Sequence, residues 1–240
     1  MQHREFTTAG SGGIDLYGQT WLPGVAPRAV IVVSHGLAEH GGRYETLAGE
    51  LVQRGYAVYA VDHRGHGRSS GPRANIERFA HVVADFCAFT ERCAGEHPAT
   101  PVFMLGHSMG GAVAFASALR LQHMLRGLVL SAPALATDQP VPRLQEMFVR
   151  LLSVVAPGTG ALALPPDAVS RDPSVVARYA ADPLVHHKAI PARTLVELLG
   201  AMQRFPASAP GLRLPTLVLH GTADQLVPLA ATRRIYQAFG

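Results

Sequence analysis

Apolar and polar positions follow a rhythm that alternates between two periods. Residues 14–22 alternate residue by residue, as a half-buried strand does, and carry the single tryptophan, Trp21. Residues 29–34 (Ala-Val-Ile-Val-Val-Ser) form an unbroken apolar run, the pattern of a parallel strand covered on both faces. Residues 44–54 switch to a helical period, with Leu47, Leu51 and Val52 on one side. The alternation then repeats: a strand over 56–61, a helix over 79–93, strands over 102–105 and 128–131. After a gap come a strand over 216–219 and a helix over 228–239 with Pro228 in its first turn. Strands alternating with helices predict an α/β fold, a mostly parallel sheet with helices on both faces.

Between Pro133 and Pro215 the strand rhythm stops. Pro140, Pro142, Pro157, Pro165, Pro166, Pro173, Pro183, Pro191, Pro206 and Pro210 punctuate this stretch, with helical patterns over 144–155 and 193–204. It reads as a helical insertion over the C-terminal edge of the sheet, where sites in such sheets lie, and hence as a cap or lid. The expected division is core over 1–135, cap over 136–212 and core again over 213–240.

The most informative stretch is 102–111, Val-Phe-Met-Leu-Gly-His-Ser-Met-Gly-Gly. A buried strand runs into Gly106-x-Ser108-x-Gly110, and a helical pattern follows to Leu121. A serine on a sharp strand-to-helix turn needs neighbours without a Cβ, and the turn places its hydroxyl at a helix N-terminus, where an anion is favoured. Ser108 is therefore the candidate nucleophile.

Bulk properties narrow the function classes. The net charge of +4 and pI near 9.4 are mild, and no basic run is interleaved with aromatics, so nucleic-acid binding finds no support. Cys87 and Cys93 lie six apart in one predicted helix, about 9 Å of rise, too far for a disulfide. No signal-peptide core and no apolar run of membrane-spanning length is present, so the expected location is cytoplasmic or peripheral to a membrane.

A serine nucleophile needs a base, and the base an orienting acid. Asp224 follows the strand at 216–219 in a polar turn, as Ser108 follows its own strand; it is the candidate acid, a plain turn or cap residue being the alternative. In serine-elbow hydrolases the order is Ser, Asp or Glu, then His. All twelve histidines precede Asp224. The base is therefore expected beyond Gly240, with one further strand and helix; a pseudoenzyme is the competing account. The oxyanion hole needs two backbone N–H groups, one after the serine (Met109) and one after an early strand (Leu37). His63 and His66 have a spacing that a metal could use, but without a carboxylate or cysteine cluster they read as a structural loop, as do His186 and His187; no metal or cofactor is expected.

Several segments resemble the monoacylglycerol lipase family of α/β-hydrolases. They are Ser-His-Gly-Leu-Ala-Glu-His-Gly-Gly-Arg-Tyr at 34–44, Asp-His-Arg-Gly-His-Gly-Arg-Ser at 62–69, Gly-His-Ser-Met-Gly-Gly at 106–111, Ser-Arg-Asp-Pro at 170–173, Asp-Pro-Leu at 182–184 and His-Gly-Thr-Ala-Asp at 220–224. The resemblance implies a serine hydrolase that splits monoacylglycerols into fatty acid and glycerol through an acyl-enzyme. It further implies Ser108 and Asp224 as triad members, Leu37 and Met109 as the oxyanion hole, and Glu39, Arg43, His107 and Tyr179 near the glycerol end of the substrate. Cap residues would line an acyl channel and touch lipid surfaces transiently. The family's catalytic histidine has no counterpart within the 240 residues. Another carboxylesterase, a lysophospholipase or a carbon–carbon hydrolase of the same fold is the nearer alternative, and a non-catalytic lipid-binding protein the more distant one.

Overall fold

The computed structural model describes residues 1–137 and 143–240, the side chains of residues 143–146 excepted. Pro140, Pro142 and the side chain of Leu144 therefore lie outside the described residues. The hydrophobic runs assemble into a seven-stranded sheet. β1 (Gln2–Ala9) pairs along its whole length with β2 (Asp15–Leu22) in an antiparallel hairpin. Next come β3 (Ala29–Ser34), α1 (Glu45–Gln53), β4 (Tyr56–Val61), α2 (Phe79–Gly95) and β5 (Val102–His107). α3 (Met109–Leu121) and β6 (Leu125–Ser131) follow. The insert between sheet strands contains α4 (Arg143–Val155), β7 (Gly160–Leu162), α5 (Pro173–Ala181), β8 (Ile190–Pro191) and α6 (Ala192–Ser208). β9 (Thr216–Leu219) and α7 (Leu229–Tyr236) complete the described chain.

The sheet order is β1-β2-β4-β3-β5-β6-β9, antiparallel at the first two pairings and parallel from β4 onward. From β3 the chain steps to β4 on one side and then crosses back past β3 to β5 on the other. The order therefore reverses between β3 and β5, and a crevice opens at their carboxyl ends.

Alternation within β3 explains why the strand is apolar throughout. Val30 and Val32 pack with Phe86, Met104 and Phe115 under α2 and α3, while Val33, with Ile31 beside it, packs with Trp21, Ala48 and Val58 under α1. Phe205 of α6 stands edge-on to Phe115, which ties the insert to the core.

The predicted elements recur with shifts of a few residues at their ends. α6 runs on to Ser208 through Pro206, past the expected end at residue 204. α7 is shorter than expected, with Pro228 as its N-cap. β1, α5 and the small β7/β8 pair had no predicted counterpart. Cys87 and Cys93 are both buried free thiols. Among the described residues no helix is long and apolar enough to cross a membrane.

Candidate active site

Ser108 sits between β5 and α3 with φ 53° and ψ −120°. A non-glycine residue in that region costs on the order of 1–3 kcal/mol, and its surroundings must hold it there. They do so through the main chain. The Ser108 N–H donates to Ser131 O at 3.0 Å, and its carbonyl accepts from the N–H groups of Gly111, Ala112 and Ala134.

The flanking glycines are required by contact. A Cβ on Gly106 would lie 2.4 Å from Gly110 O, and one on Gly110 would lie 2.1 Å from Ser34 O and 2.3 Å from His35 O. That second approach presses the start of α3 against the end of β3. It brings the turn after Ser34 beside the turn that holds Ser108.

A serine at a helix N-cap usually accepts a hydrogen bond from the first turn. Ser108 makes no such side-chain cap, and among the described residues no hydrogen bond engages its hydroxyl. The N–H groups of Leu37 and Met109 likewise donate to no protein acceptor among the described residues.

The turn carrying Leu37 is clamped by a carboxylate. Glu39 Oε1 accepts from Gly36 N–H at 2.6 Å and from the Tyr44 hydroxyl at 2.9 Å, while Oε2 pairs with Arg43 at 2.8 Å. Burial and the adjoining Glu39 carboxylate push the Tyr44 phenol well above its usual pKa, so it stays a donor. The Arg43 guanidinium lies 4.7 Å above the Tyr179 ring, which connects this cluster to α5. A second link joins His40 Nε2 to Asp182 Oδ2 at 2.8 Å.

Asp224 occupies the turn after β9. Its Oδ1 accepts from the N–H groups of Leu226 and Val227, both at 2.9 Å, so it does organise the turn. Its Oδ2 lies 3.4 Å from His220 Nε2, which donates to Val227 O.

These pieces share one cavity of about 960 Å³, lined by all eight sequence-predicted residues: Ser108, Met109, Leu37, Asp224, Glu39, Arg43, His107 and Tyr179. Its opposite wall comes from the insert, with Val149, Leu162, Leu164, Leu195, Leu199 and Met202. His107 is the cavity's lone histidine among the described residues, and its Nδ1 donates to Ser131 O at 3.0 Å. His220 does not line the cavity.

His63 and His66, read as parts of a structural loop, pack against His35 in the core, with ring centroids 4.4 and 5.4 Å from it. The insert supplies the apolar wall expected of a cap, whereas the His40–Asp182 link had no counterpart in the sequence reading. The Asp-Pro pair at 182–183 marked that link only as a motif.

Comparison with known proteins bears on the family and the fold. Residues 25–240 match the family described as serine aminopeptidase, S33. The chain is 42% identical over 229 residues to a monoacylglycerol lipase of Mycolicibacterium smegmatis, covering 95% of this chain and 82% of that protein. The chain belongs to the monoacylglycerol lipase family of α/β-hydrolases. It is also 35% identical over 212 residues to the human monoglyceride lipase, covering 88% of this chain and 70% of that one. The crystal structure of the Paleococcus ferrophilus monoacylglycerol lipase superposes with a TM-score of 0.82 at 32% identity, covering 93% of this chain and 84% of that one. Family and fold thus meet the expectation drawn from the motifs.

Proposed function

We propose that this protein hydrolyses monoacylglycerols through an acyl-enzyme on Ser108. The observation that carries the reading is the cavity itself. It joins an uncapped serine, two undonated main-chain N–H groups and an acidic turn to a largely apolar wall from the insert. In this mechanism Ser108 Oγ attacks the ester carbonyl, and the N–H groups of Leu37 and Met109 take up the charge on its oxygen. The hydroxyl proton passes to the general base; collapse breaks the ester C–O bond and hands that proton to the departing glycerol oxygen, and water, deprotonated by the same base, then hydrolyses the acyl-serine to the fatty acid. Glu39, Arg43, His107 and Tyr179 form the polar end where the glycerol sits; the apolar wall takes the acyl chain.

The general base is proposed to be a histidine C-terminal to Asp224 and outside residues 1–240, oriented by Asp224. The insert acts as a cap. Met147, Phe148, Leu151, Val154 and Val155 of α4 are 61–73 % exposed, and such a face supports transient contact with a lipid surface.

The test is a substrate panel on the native full-length protein: a monoacylglycerol, a lysophospholipid, a short soluble ester and an amino-acid anilide. The monoacylglycerol is expected to have the highest kcat/KM, a fluorophosphonate is expected to label Ser108, and Ser108→Ala should lower kcat by about 10⁶-fold. Preference for the anilide or lysophospholipid would overturn the substrate assignment. An unlabelled protein that binds fatty acyl chains would favour the lipid-binding alternative.

A further inference from the structure

The turn that carries Leu37 is held on two sides, and the second side belongs to a residue given no part in the chemistry above. His35 follows β3 and is fully buried. Its Nδ1 lies 2.7 Å from Gly36 O. A carbonyl only accepts, so Nδ1 carries the proton and donates. Its Nε2 accepts from the main-chain N–H of His63 at 2.9 Å. The ring is thus fixed as one neutral tautomer, a donor at one nitrogen and an acceptor at the other.

The carbonyl that His35 grips belongs to the same peptide unit as the Leu37 N–H. In a trans peptide the C=O and N–H lie in one plane and point in opposite directions. Drawing Gly36 O toward the imidazole therefore turns the Leu37 N–H away from it. The Glu39 carboxylate holds Gly36 N–H at the preceding peptide, so the two contacts fix the peptide planes on both sides of the Gly36 Cα. Glycine also suits that position sterically, because a Cβ there would lie 2.9 Å from Glu39 Oε1.

We propose that His35 is a positioning residue, whose Nδ1–H holds the Gly36 carbonyl and so aims the Leu37 N–H at the oxyanion. The proposal rests on the reading of Leu37 as an oxyanion donor and adds what fixes its direction. His63 contributes its backbone N–H, which selects the ring tautomer. The imidazole touches no substrate atom.

The experiment uses the native full-length protein labelled with ¹⁵N. Phosphonylation of Ser108 by a fluorophosphonate places an anionic oxygen where the oxyanion forms. In the wild type the Leu37 and Met109 amide protons are expected to move downfield together. In His35→Leu the Met109 response should persist while the Leu37 response falls to less than half. kcat should drop about 30- to 100-fold, somewhat less than complete loss of a donor, with KM within about threefold. His35→Asn places a carboxamide N–H near the Nδ1 position and should recover most of the Leu37 response. A Leu37 response as large in His35→Leu as in the wild type would overturn the proposal, as would a wild type in which only Met109 responds.

Should either variant fail to fold, the wild-type imidazole ¹⁵N shifts decide the matter. They must report His35 as the neutral Nδ1–H tautomer; the Nε2–H tautomer or an imidazolium at pH 7 overturns the proposal. A probe that never labels Ser108 would count against the proposed function, and the tautomer measurement would still decide this inference.

Discussion

α3 and α4 are both thirteen residues long, and both border the same cavity, yet their sequences place them under opposite constraints. In α3 ten residues are buried, from Met109 through Leu121, and packing on nearly every side fixes the helix. Its N-terminus presses on the backbone of β3 so closely that no side chain fits between them. α4 packs on α6, and of its described residues Ser153 alone is buried, while Met147, Phe148, Leu151, Val154 and Val155 face outward. Apolar side chains on all sides of α3 are satisfied within the fold. The outward apolar face of α4 finds no partner among the described residues. Hydrophobicity therefore serves rigidity in one helix and, in the proposed function, contact with lipid in the other.

Acid gives the largest expected effect in sharpening this contrast. His35, His63 and His66 are buried beneath the α3 side of the site, and none belongs to the insert. Burial, reinforced by the neighbouring imidazoles, holds His35 well below the usual histidine range and lowers His63 to about 3. Burial likewise lowers His66 to about 4. As pH falls through about 6.5, the unfolded chain takes up these protons and the folded one does not. The stability they allow is thus full above pH 6.5 and declines toward pH 4. A histidine kept neutral in this way steepens the decline by up to about 1.4 kcal/mol per pH unit. Denaturant titrations across that range should show the decline, with a shallower slope in His66→Gln. A flat profile would contradict the neutral cluster.

Second in size is Gly110→Ala. Its Cβ cannot coexist with the carbonyls of Ser34 and His35 where they stand, so β3 and α3 must separate. A loss of about 3 kcal/mol is expected, seen calorimetrically as a Tm lower by about 6–12 °C. Activity should fall further than the unfolded fraction explains, because the separation moves Leu37 away from Ser108. Unchanged Tm and activity would mean that the contact is not needed.

The smallest effect on stability is expected on the other helix. Leu151→Asp or Val154→Asp should change stability by no more than about 0.5 kcal/mol, since both side chains are exposed. Binding to phosphatidylcholine vesicles should weaken several-fold, with turnover of a short soluble ester unchanged. Equal losses of stability and vesicle binding would show that α4 is packed as α3 is, and unchanged vesicle binding would remove its lipid-contact role.

Ser108 was legible because three signals coincide: a strand that ends in glycine, a serine, and a helix whose first residues lack bulk. Leu37 was legible because β3 is continuously apolar and stops at a polar turn. α5 was not read as a helix, although its start is written in the chain: Asp172 accepts from Ser174 N–H at 2.8 Å, and Pro173 follows as the first helical residue. Its apolar positions are an adjacent Val175-Val176 pair, Tyr179 and small alanines, and Tyr179 alone is buried, so no clear period marks a packed face. β1 was missed for a related reason, since an edge strand exposes most of its residues. His35 defeated sequence reading altogether. Its role depends on which nitrogen meets Gly36 O, and on a partner 28 residues away.

One consequence of the clamped Gly36–Leu37 peptide concerns how such a protein can diversify. In the proposed mechanism the group that Leu37 lends belongs to the chain itself and is oriented by its neighbours, so any residue but proline supplies it. The Leu37 residue meanwhile lines the cavity. Substrate range can thus be retuned at position 37 by exchanging one side chain for another, with the donor retained in every intermediate along the mutational path.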